Sequence, residues 1–123
     1  MRMKLQTRHF DEPDERRSSE KGTFELVTVG GTTSGRARYE PRWKWSEHVA
    51  PIAGKKLCGV EHLGIAISGR AAVRMADGTE LIIGTGEVFV IPPGRDSWVV
   101  GDQPYVSLLQ LGAGDYATGH NEP

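Results

Sequence analysis

Residues 86–94, with the sequence GEVFVIPPG, show most directly what kind of fold this chain forms. Residues 88–91 are all strong β-formers, and the Pro-Pro-Gly run that follows them ends the strand in a turn. Residues 80–83 have the same character, and Asp77-Gly78, just before them, is a strong signal for a hairpin turn. Short strands joined by tight turns are therefore expected in this part of the chain.

A period of two is clearest in residues 35–48. The apolar phase of this pattern comprises Ala37, Tyr39, Trp43 and Trp45. Charged and polar residues occupy most of the other phase. The alternation predicts a half-buried pair of strands, with Pro41 marking a break or an edge.

Residues 57–68 (LCGVEHLGIAIS) form another predicted strand, and its two faces differ. The small and partly polar face carries Cys58, Val60, His62, Gly64 and Ala66, and the bulky face carries Leu63, Ile65 and Ile67. No segment has apolar residues at i, i+3, i+4 and i+7 over the length of a helix. About nine or ten short strands with frequent turns predict an all-β sandwich or barrel.

The composition indicates one globular domain, residues 1–123. The chain has 123 residues, of which 37% are hydrophobic and 25% are charged, and its net charge is −1. This charge argues against a nucleic-acid or anionic-membrane partner. The lone Cys58 excludes an intrachain disulfide and an all-cysteine zinc site. No apolar run is long enough to cross a membrane, and the first five residues lack the apolar region of a signal peptide, so we expect a cytoplasmic protein.

Two segments have the composition of exposed chain. Residues 8–22 carry ten ionisable side chains and almost no apolar ones, which predicts an exposed loop or arm. Residues 112–123 are polar and glycine-rich, which predicts a loose tail.

The stretch 86–94 resembles the second motif of the cupin superfamily, in which a glycine is followed after five residues by Pro-x-Gly. Residues 58–69 lie where the first cupin motif is expected, and residues 43–48 (WKWSEH) resemble a branch of small, single-domain cupins. The resemblance covers most of the chain. It implies a cupin-type double-stranded β-helix, a jelly-roll barrel of two facing sheets, and a homodimer.

The metal-binding positions of the first cupin motif are filled differently here. Counting back from Gly69 puts the motif's glutamate position at His62, its second histidine at Cys58 and its first at Lys56. The resemblance alone therefore does not imply the three-histidine, one-glutamate metal set of the family.

The second motif departs from the family in the same way. Its metal-binding histidine position is Ser97, and Arg95 occupies the place after Pro-Pro-Gly where the similar branch often has histidine. The remaining candidate ligands are His48, Cys58 and His62, a soft set that suits zinc or Fe(II). One divalent metal (zinc, iron, nickel or manganese) and no metal at all are left as equal alternatives.

His62 has a second possible role, as a catalytic base. A histidine inside an apolar barrel stays neutral and accepts protons, and Arg95 would then hold a carboxylate or enolate oxygen. Tyr105 is a candidate proton donor. The alternatives are that His62 is a hydrogen-bonded core residue and that Arg95 is an exposed turn residue paired with Asp96.

Other residues are candidates for binding a small molecule. They are Cys58, Val60, Trp43, Trp98 and Ser97. Tryptophans on strands are more often core or dimer-interface residues than a binding surface for a substrate. The bulky face of residues 63, 65 and 67 needs covering, which is an independent argument for a homodimer. Three functions remain open: a metal-free isomerase, cyclase or lyase, a metal-dependent cupin enzyme, and a non-catalytic binding or sensing module.

Overall fold

The computed structural model describes residues 4–53 and 62–110, and of residues 52 and 53 only the backbone. This part of the chain holds nine strands and two helices of one turn each. They are β1 (Glu15–Ser19), β2 (Gly22–Val29), β3 (Thr32–Tyr39), α1 (Trp45–His48), α2 (Ala50–Ala53), β4 (His62–Ser68), β5 (Arg70–Met75), β6 (Glu80–Gly84), β7 (Val88–Ile91), β8 (Arg95–Val100) and β9 (Tyr105–Gln110).

The strands form two antiparallel sheets that enclose the core. The larger sheet has the order β1-β2-β3-β9-β4-β7, and the smaller has the order β6-β5-β8. Alternate residues of each strand face the space between the sheets, as the period of two requires. On β9, for example, Tyr105, Ser107 and Leu109 are buried. The all-β prediction is confirmed.

The strand predicted from residues 86–94 is present with the expected bounds, since β7 is Val88–Ile91. Gly94 follows it with a φ of +89°, a conformation that residues with a side chain rarely adopt. This corner turns the chain from β7 into β8. The first residue of β8 is Arg95, so the corner decides where that side chain enters the barrel.

The prediction of a strand on both sides of Pro41 is wrong for the second half. After β3 ends at Tyr39 the chain turns, with Arg42 at a φ of +76°, and Trp45 begins α1. Trp43 still pairs like a strand residue, because its carbonyl accepts a hydrogen bond from the N–H of Val99 (3.0 Å). The predicted burial of residues 43 and 45 is therefore confirmed, but Trp43 lies in a turn and Trp45 in a short helix rather than in a continuous strand.

The expectation of an exposed loop over residues 8–22 is also wrong in part. Residues 15–19 form β1, which pairs with β2 at the edge of the larger sheet. A charged edge strand is a common protection against pairing with other chains, and it explains why this strand lacks apolar residues. The N-terminal segment is further held by ion pairs, Arg8 with Asp14 (2.7 Å) and Asp11 with Arg36 (2.8 Å).

Some sequence expectations fall outside the described residues. These are Cys58, Val60 and the tail 112–123. Within the described residues, no helix has the length and apolar character that crossing a membrane requires.

Candidate functional site

A small cavity lies between the two sheets. Its volume is about 40 Å³, which is more than one water molecule needs and far less than the ~300–1,000 Å³ of a site for a drug-sized ligand. The polar residues of its wall are Tyr39, Trp43, His62, Arg95, Ser97, Tyr105 and Ser107. Apolar side chains complete the wall. The described lining residues include no aspartate or glutamate.

Arg95 supplies the positive charge of this cavity. Its side chain enters from the start of β8 and only 3% of the residue is exposed, so it is not the exposed turn residue that was one of the two expectations. One guanidinium nitrogen donates a hydrogen bond to the carbonyl of Pro92 (3.2 Å). A guanidinium has five N–H donors in a planar fork, an arrangement that matches the two oxygens of a carboxylate.

His62 lies in the same wall as a neutral base. It begins β4, pairs with Ile91 of β7 and is 6% exposed. Burial, and secondarily the positive charge of Arg95, hold the pKa of His62 well below its ordinary value of 6.5. The imidazole is therefore neutral at physiological pH and has a ring nitrogen that can accept a proton.

Tyr105 and Ser107 bring hydroxyl groups to the cavity from β9. Both are buried, and they share a face of that strand. Burial raises the pKa of Tyr105 to about 12, although a hydrogen bond with Ser107 opposes this shift. The phenol therefore keeps its proton at neutral pH and serves as a hydrogen-bond donor.

Trp43 covers another part of the wall. Its indole stacks on the ring of Tyr39 with the ring centres 3.8 Å apart and the planes 13° from parallel. Trp43 is 2% exposed. This pair makes a flat, rigid surface on the side of the cavity that the turn after β3 supplies.

Two of the predicted site residues lie elsewhere in the described structure. Trp98 is on the outer phase of β8, where Lys44 lies over its ring at 5.4 Å from the centre. It is not among the residues of the cavity wall. His48 ends α1, and its Nδ1 accepts a hydrogen bond from the backbone N–H of Lys44 (3.0 Å). Trp98 faces outward because alternate residues of β8 face opposite sides of the sheet, and His48 is kept out of the cavity by its position at the end of α1.

The described residues do not fit a metal ion. Of the predicted ligands, Cys58 lies outside the described residues, His48 bonds to its own helix, and His62 has the guanidinium of Arg95 as an electrostatic neighbour. The described residues contain no group of three or more metal-ligating side chains. A fixed positive charge beside a ligand also opposes cation binding.

Sequence reasoning missed Tyr39 and Ser107 as parts of the site. Ser107 could have been found, because it is a polar residue on the buried phase of an otherwise apolar strand. Tyr39 shares the buried phase of β3 with Ala37, but nothing in the sequence shows that β3 and β9 are neighbours.

A larger groove, of about 510 Å³, lies between the edge strands β6 and β7. Its lining is mostly aliphatic, and its one charged residue, Glu87, accepts a hydrogen bond from the N–H of Gly84 (2.6 Å). Thr79 and Glu87 are the only polar side chains in its described lining, so the groove has fewer groups that could fix a ligand's orientation than the small cavity has.

Comparison with solved structures shows the fold class. A protein of unknown function from Rhizobium leguminosarum bv. viciae aligns with 20% identity over 89% of this chain and 98% of that chain, with a TM-score of 0.61. Oxalate decarboxylase of Lactobacillus farciminis, solved as a formate complex, aligns with 20% identity over 87% of this chain and 32% of that chain, with a TM-score of 0.60. The capsular polysaccharide assembling protein CapF of Staphylococcus aureus aligns with 16% identity over 84% and 29%, with a TM-score of 0.58.

Oxalate decarboxylase and CapF are cupin-fold proteins, so this chain has a cupin-like, jelly-roll fold and the predicted fold class is confirmed. The chain spans about a third of the length of those two proteins. No protein-family model and no curated protein sequence matches it. At these sequence identities the similarity shows the fold alone, and a function has to rest on the residues of the site.

Proposed function

We propose that this protein binds a small carboxylate in the cavity of its barrel, with Arg95 holding the carboxylate and His62 accepting a proton. The observation that carries this proposal is the pairing of a buried guanidinium with a buried, neutral imidazole in one cavity wall. Since the described lining has no acidic residue, the electrostatic field of the wall favours an anion. The planar fork of the guanidinium favours a carboxylate among anions.

The volume of the cavity limits the group that it takes. About 40 Å³ is room for a few non-hydrogen atoms, so the buried part of the ligand is the carboxylate and its neighbouring carbon. Very small ligands gain at most about 1.5 kcal/mol per non-hydrogen atom, which limits acetate, with four such atoms, to a Kd of roughly 40 µM or weaker.

The same wall supports proton-transfer chemistry. His62 removes a proton from the carbon next to the ligand's carbonyl or carboxylate group, and the electron pair of that C–H bond moves onto the oxygen as an enolate. Arg95 stabilises the negative charge that develops there. Return of the proton to the opposite face of that carbon, or to another atom of the enolate system, gives an isomerase, and loss of a leaving group from the neighbouring carbon gives a lyase. We assign Tyr105, which lines the cavity and keeps its proton, the role of hydrogen-bond donor to the ligand.

Binding is tested by titrating the protein with sodium acetate, using nuclear magnetic resonance (NMR) because the complex is weak. Acetamide, the neutral isostere, is the ligand control. We expect acetate to bind in the millimolar range and acetamide to bind far more weakly. Arg95→Met should weaken acetate binding by about 10- to 150-fold, since a hydrogen bond to a charged group contributes about 1.5–3 kcal/mol.

Arg74→Met is the matched control variant, because Arg74 is an exposed arginine on β5, in the same sheet as β8. It should bind acetate like the wild type. Equal acetate affinity in the folded Arg95→Met variant, or equal affinity of the wild type for acetamide, contradicts the proposal.

Proton transfer is tested separately, by following hydrogen–deuterium exchange of the methyl group of pyruvate in D₂O. The protein should accelerate this exchange, and His62→Gln should remove the acceleration while still binding acetate. Binding without any accelerated exchange would refute the enzymatic part and leave a binding or sensing module.

The homodimer is a further proposal, and the outer face of the larger sheet supports it. Leu63 and Ile65 of β4 pair with Val90 and Val88 of β7, so the four apolar side chains share this face. Val90 is 62% exposed and Val88 is 72% exposed in the single chain. An apolar patch of this kind is typical of a protein–protein interface, and a second copy is the partner that we propose for it.

A further inference from the structure

The indole N–H of Trp43 is a buried donor that no described residue of the chain uses. The nitrogen is fully shielded from solvent and has no hydrogen-bond partner among residues 4–53 and 62–110. Most buried polar groups in proteins are hydrogen-bonded, and a buried donor without a hydrogen bond costs about 1–3 kcal/mol of stability. Trp43 lies in the wall of the cavity that contains Arg95 and His62. A hydrogen-bond acceptor on a ligand bound in this cavity therefore lies beside the Trp43 side chain.

Trp45 gives the internal comparison. It is as buried as Trp43, and its indole N–H also has no hydrogen-bond partner in the described part of the chain. However, Trp45 is not one of the described residues that line the cavity. The two tryptophans therefore agree in burial and in having an indole N–H without a described partner, and they differ in whether they line the cavity.

We propose that Trp43 is a specificity-determining residue that donates its indole N–H to an oxygen of the carboxylate bound by Arg95. This inference rests on the proposed carboxylate binding and adds a second donor to it. An indole N–H donates and cannot accept, so it favours an oxygen acceptor and disfavours an ammonium or amide N–H at the same place. The carboxylate then has one neutral and one charged donor group.

The backbone keeps Trp43 and Arg95 on one rigid unit. The carbonyl of Trp43 accepts a hydrogen bond from the N–H of Val99, on the strand that begins with Arg95. The carboxylate of Asp96, also on β8, accepts hydrogen bonds from the backbone N–H (3.0 Å) and the hydroxyl (2.8 Å) of Ser46. The turn that carries Trp43 and the helix α1 that follows it are thus each hydrogen-bonded to the strand that carries Arg95.

The test uses the wild-type protein labelled with ¹⁵N. The chain has three tryptophans, so its spectrum contains three indole N–H signals, which single Trp→Phe variants assign. On addition of sodium acetate, the Trp43 signal should move downfield and saturate with the Kd that the backbone signals report. The Trp45 signal should stay in place. Sodium chloride and acetamide at equal concentrations are the ligand controls.

Two variants give an independent readout of affinity. Trp43→Phe should weaken acetate binding by about 2- to 13-fold, the loss of a neutral hydrogen bond of 0.5–1.5 kcal/mol. Trp45→Phe makes the same change outside the cavity wall and should leave the affinity unchanged.

The outcomes separate this inference from the proposed function. If acetate binds through Arg95 while the Trp43 indole signal stays in place, the role of Trp43 is refuted and carboxylate binding stands. If acetate does not bind at all, the proposed function fails and this inference fails with it.

Discussion

His62 makes the stability of the fold depend on pH, in a direction that its surroundings determine. In the unfolded chain the imidazole takes up a proton near pH 6.5, whereas burial and the charge of Arg95 keep the pKa of the folded-state imidazole well below that value. The unfolded state therefore binds more protons than the folded state over this range. Stability is fully present above pH 6.5 and falls as the pH decreases.

The magnitude follows from linkage. While the folded imidazole stays neutral, a single histidine lowers the free energy of unfolding by up to about 1.4 kcal/mol per pH unit. Between pH 7 and pH 5 the total is about 2 kcal/mol. The other titratable side chains in the described cavity wall are Tyr39, Arg95 and Tyr105, and none of them is a carboxylate or a second histidine.

The assay is urea unfolding at pH 5.0, 6.0, 7.0 and 7.5 for the wild type and for His62→Gln, whose side chain does not titrate. The difference between the two free energies of unfolding removes the contribution of all other groups. This difference should change by about 2 kcal/mol between pH 7 and pH 5. A difference that does not vary with pH would refute the buried, neutral state of His62. In Arg95→Met, the pKa of His62 should rise but stay below 6.5, because burial is the larger cause.

Three further predictions concern packing, an ion pair and assembly. Gly64→Ala should lower the free energy of unfolding by about 1–3 kcal/mol, because the added Cβ would meet a backbone carbonyl of β9. At Gly84 an added Cβ makes only ordinary contacts, so Gly84→Ala should change this free energy by less than about 0.5 kcal/mol. Equal effects of the two substitutions in urea unfolding would contradict this packing. Arg36→Met should lower the free energy of unfolding by about 1–3 kcal/mol, because it leaves the buried carboxylate of Glu25 without its 2.8 Å partner. Arg38→Met breaks an exposed ion pair and should lower this free energy by less than about 1 kcal/mol. A larger loss for Arg38→Met than for Arg36→Met in urea unfolding would contradict the burial of the Glu25 pair. In sedimentation equilibrium the wild type should be a dimer and Val90→Lys a monomer, and a monomeric wild type would rule out the proposed interface.

Local sequence signals were sufficient for much of the fold. The run at residues 88–91 is β7, and the glycine that ends its Pro-Pro-Gly turn has the positive φ that such a corner needs. The two faces of β4 were also read correctly, since His62 and Ala66 are buried and Ile67 is exposed. These features depend on neighbouring residues alone, which is why the sequence reveals them.

The errors have a common physical cause, which is tertiary context. Trp43 and Trp45 are spaced like strand residues, but the chain between them and β3 turns, and the carbonyl of Trp43 accepts a hydrogen bond from the N–H of Val99 on β8. Residues 15–19 have no apolar pattern, yet pairing with β2 makes them a strand. In both cases contacts distant in sequence override the local preference.

The candidate site was only partly predictable for the same reason. His62 and Arg95 could each be named from the sequence, but their meeting in one cavity depends on β4 and β8 lying in opposite sheets. The placement of Trp98 on the outer phase follows from the burial of Arg95, because odd and even residues of one strand face opposite sides. Which alternate residues of a strand face the cavity is therefore determined by how the two sheets pack together rather than by the sequence of that strand alone.

The measurement that tests carboxylate binding most directly is a high-resolution crystal structure of the wild-type protein grown in sodium acetate. Carboxylate binding predicts planar, four-atom density in the barrel cavity, with one oxygen within hydrogen-bond distance of the Arg95 guanidinium and another facing the indole N–H of Trp43. A cavity that holds only water at saturating acetate, or a guanidinium already covered by a carboxylate of the protein itself, would contradict it.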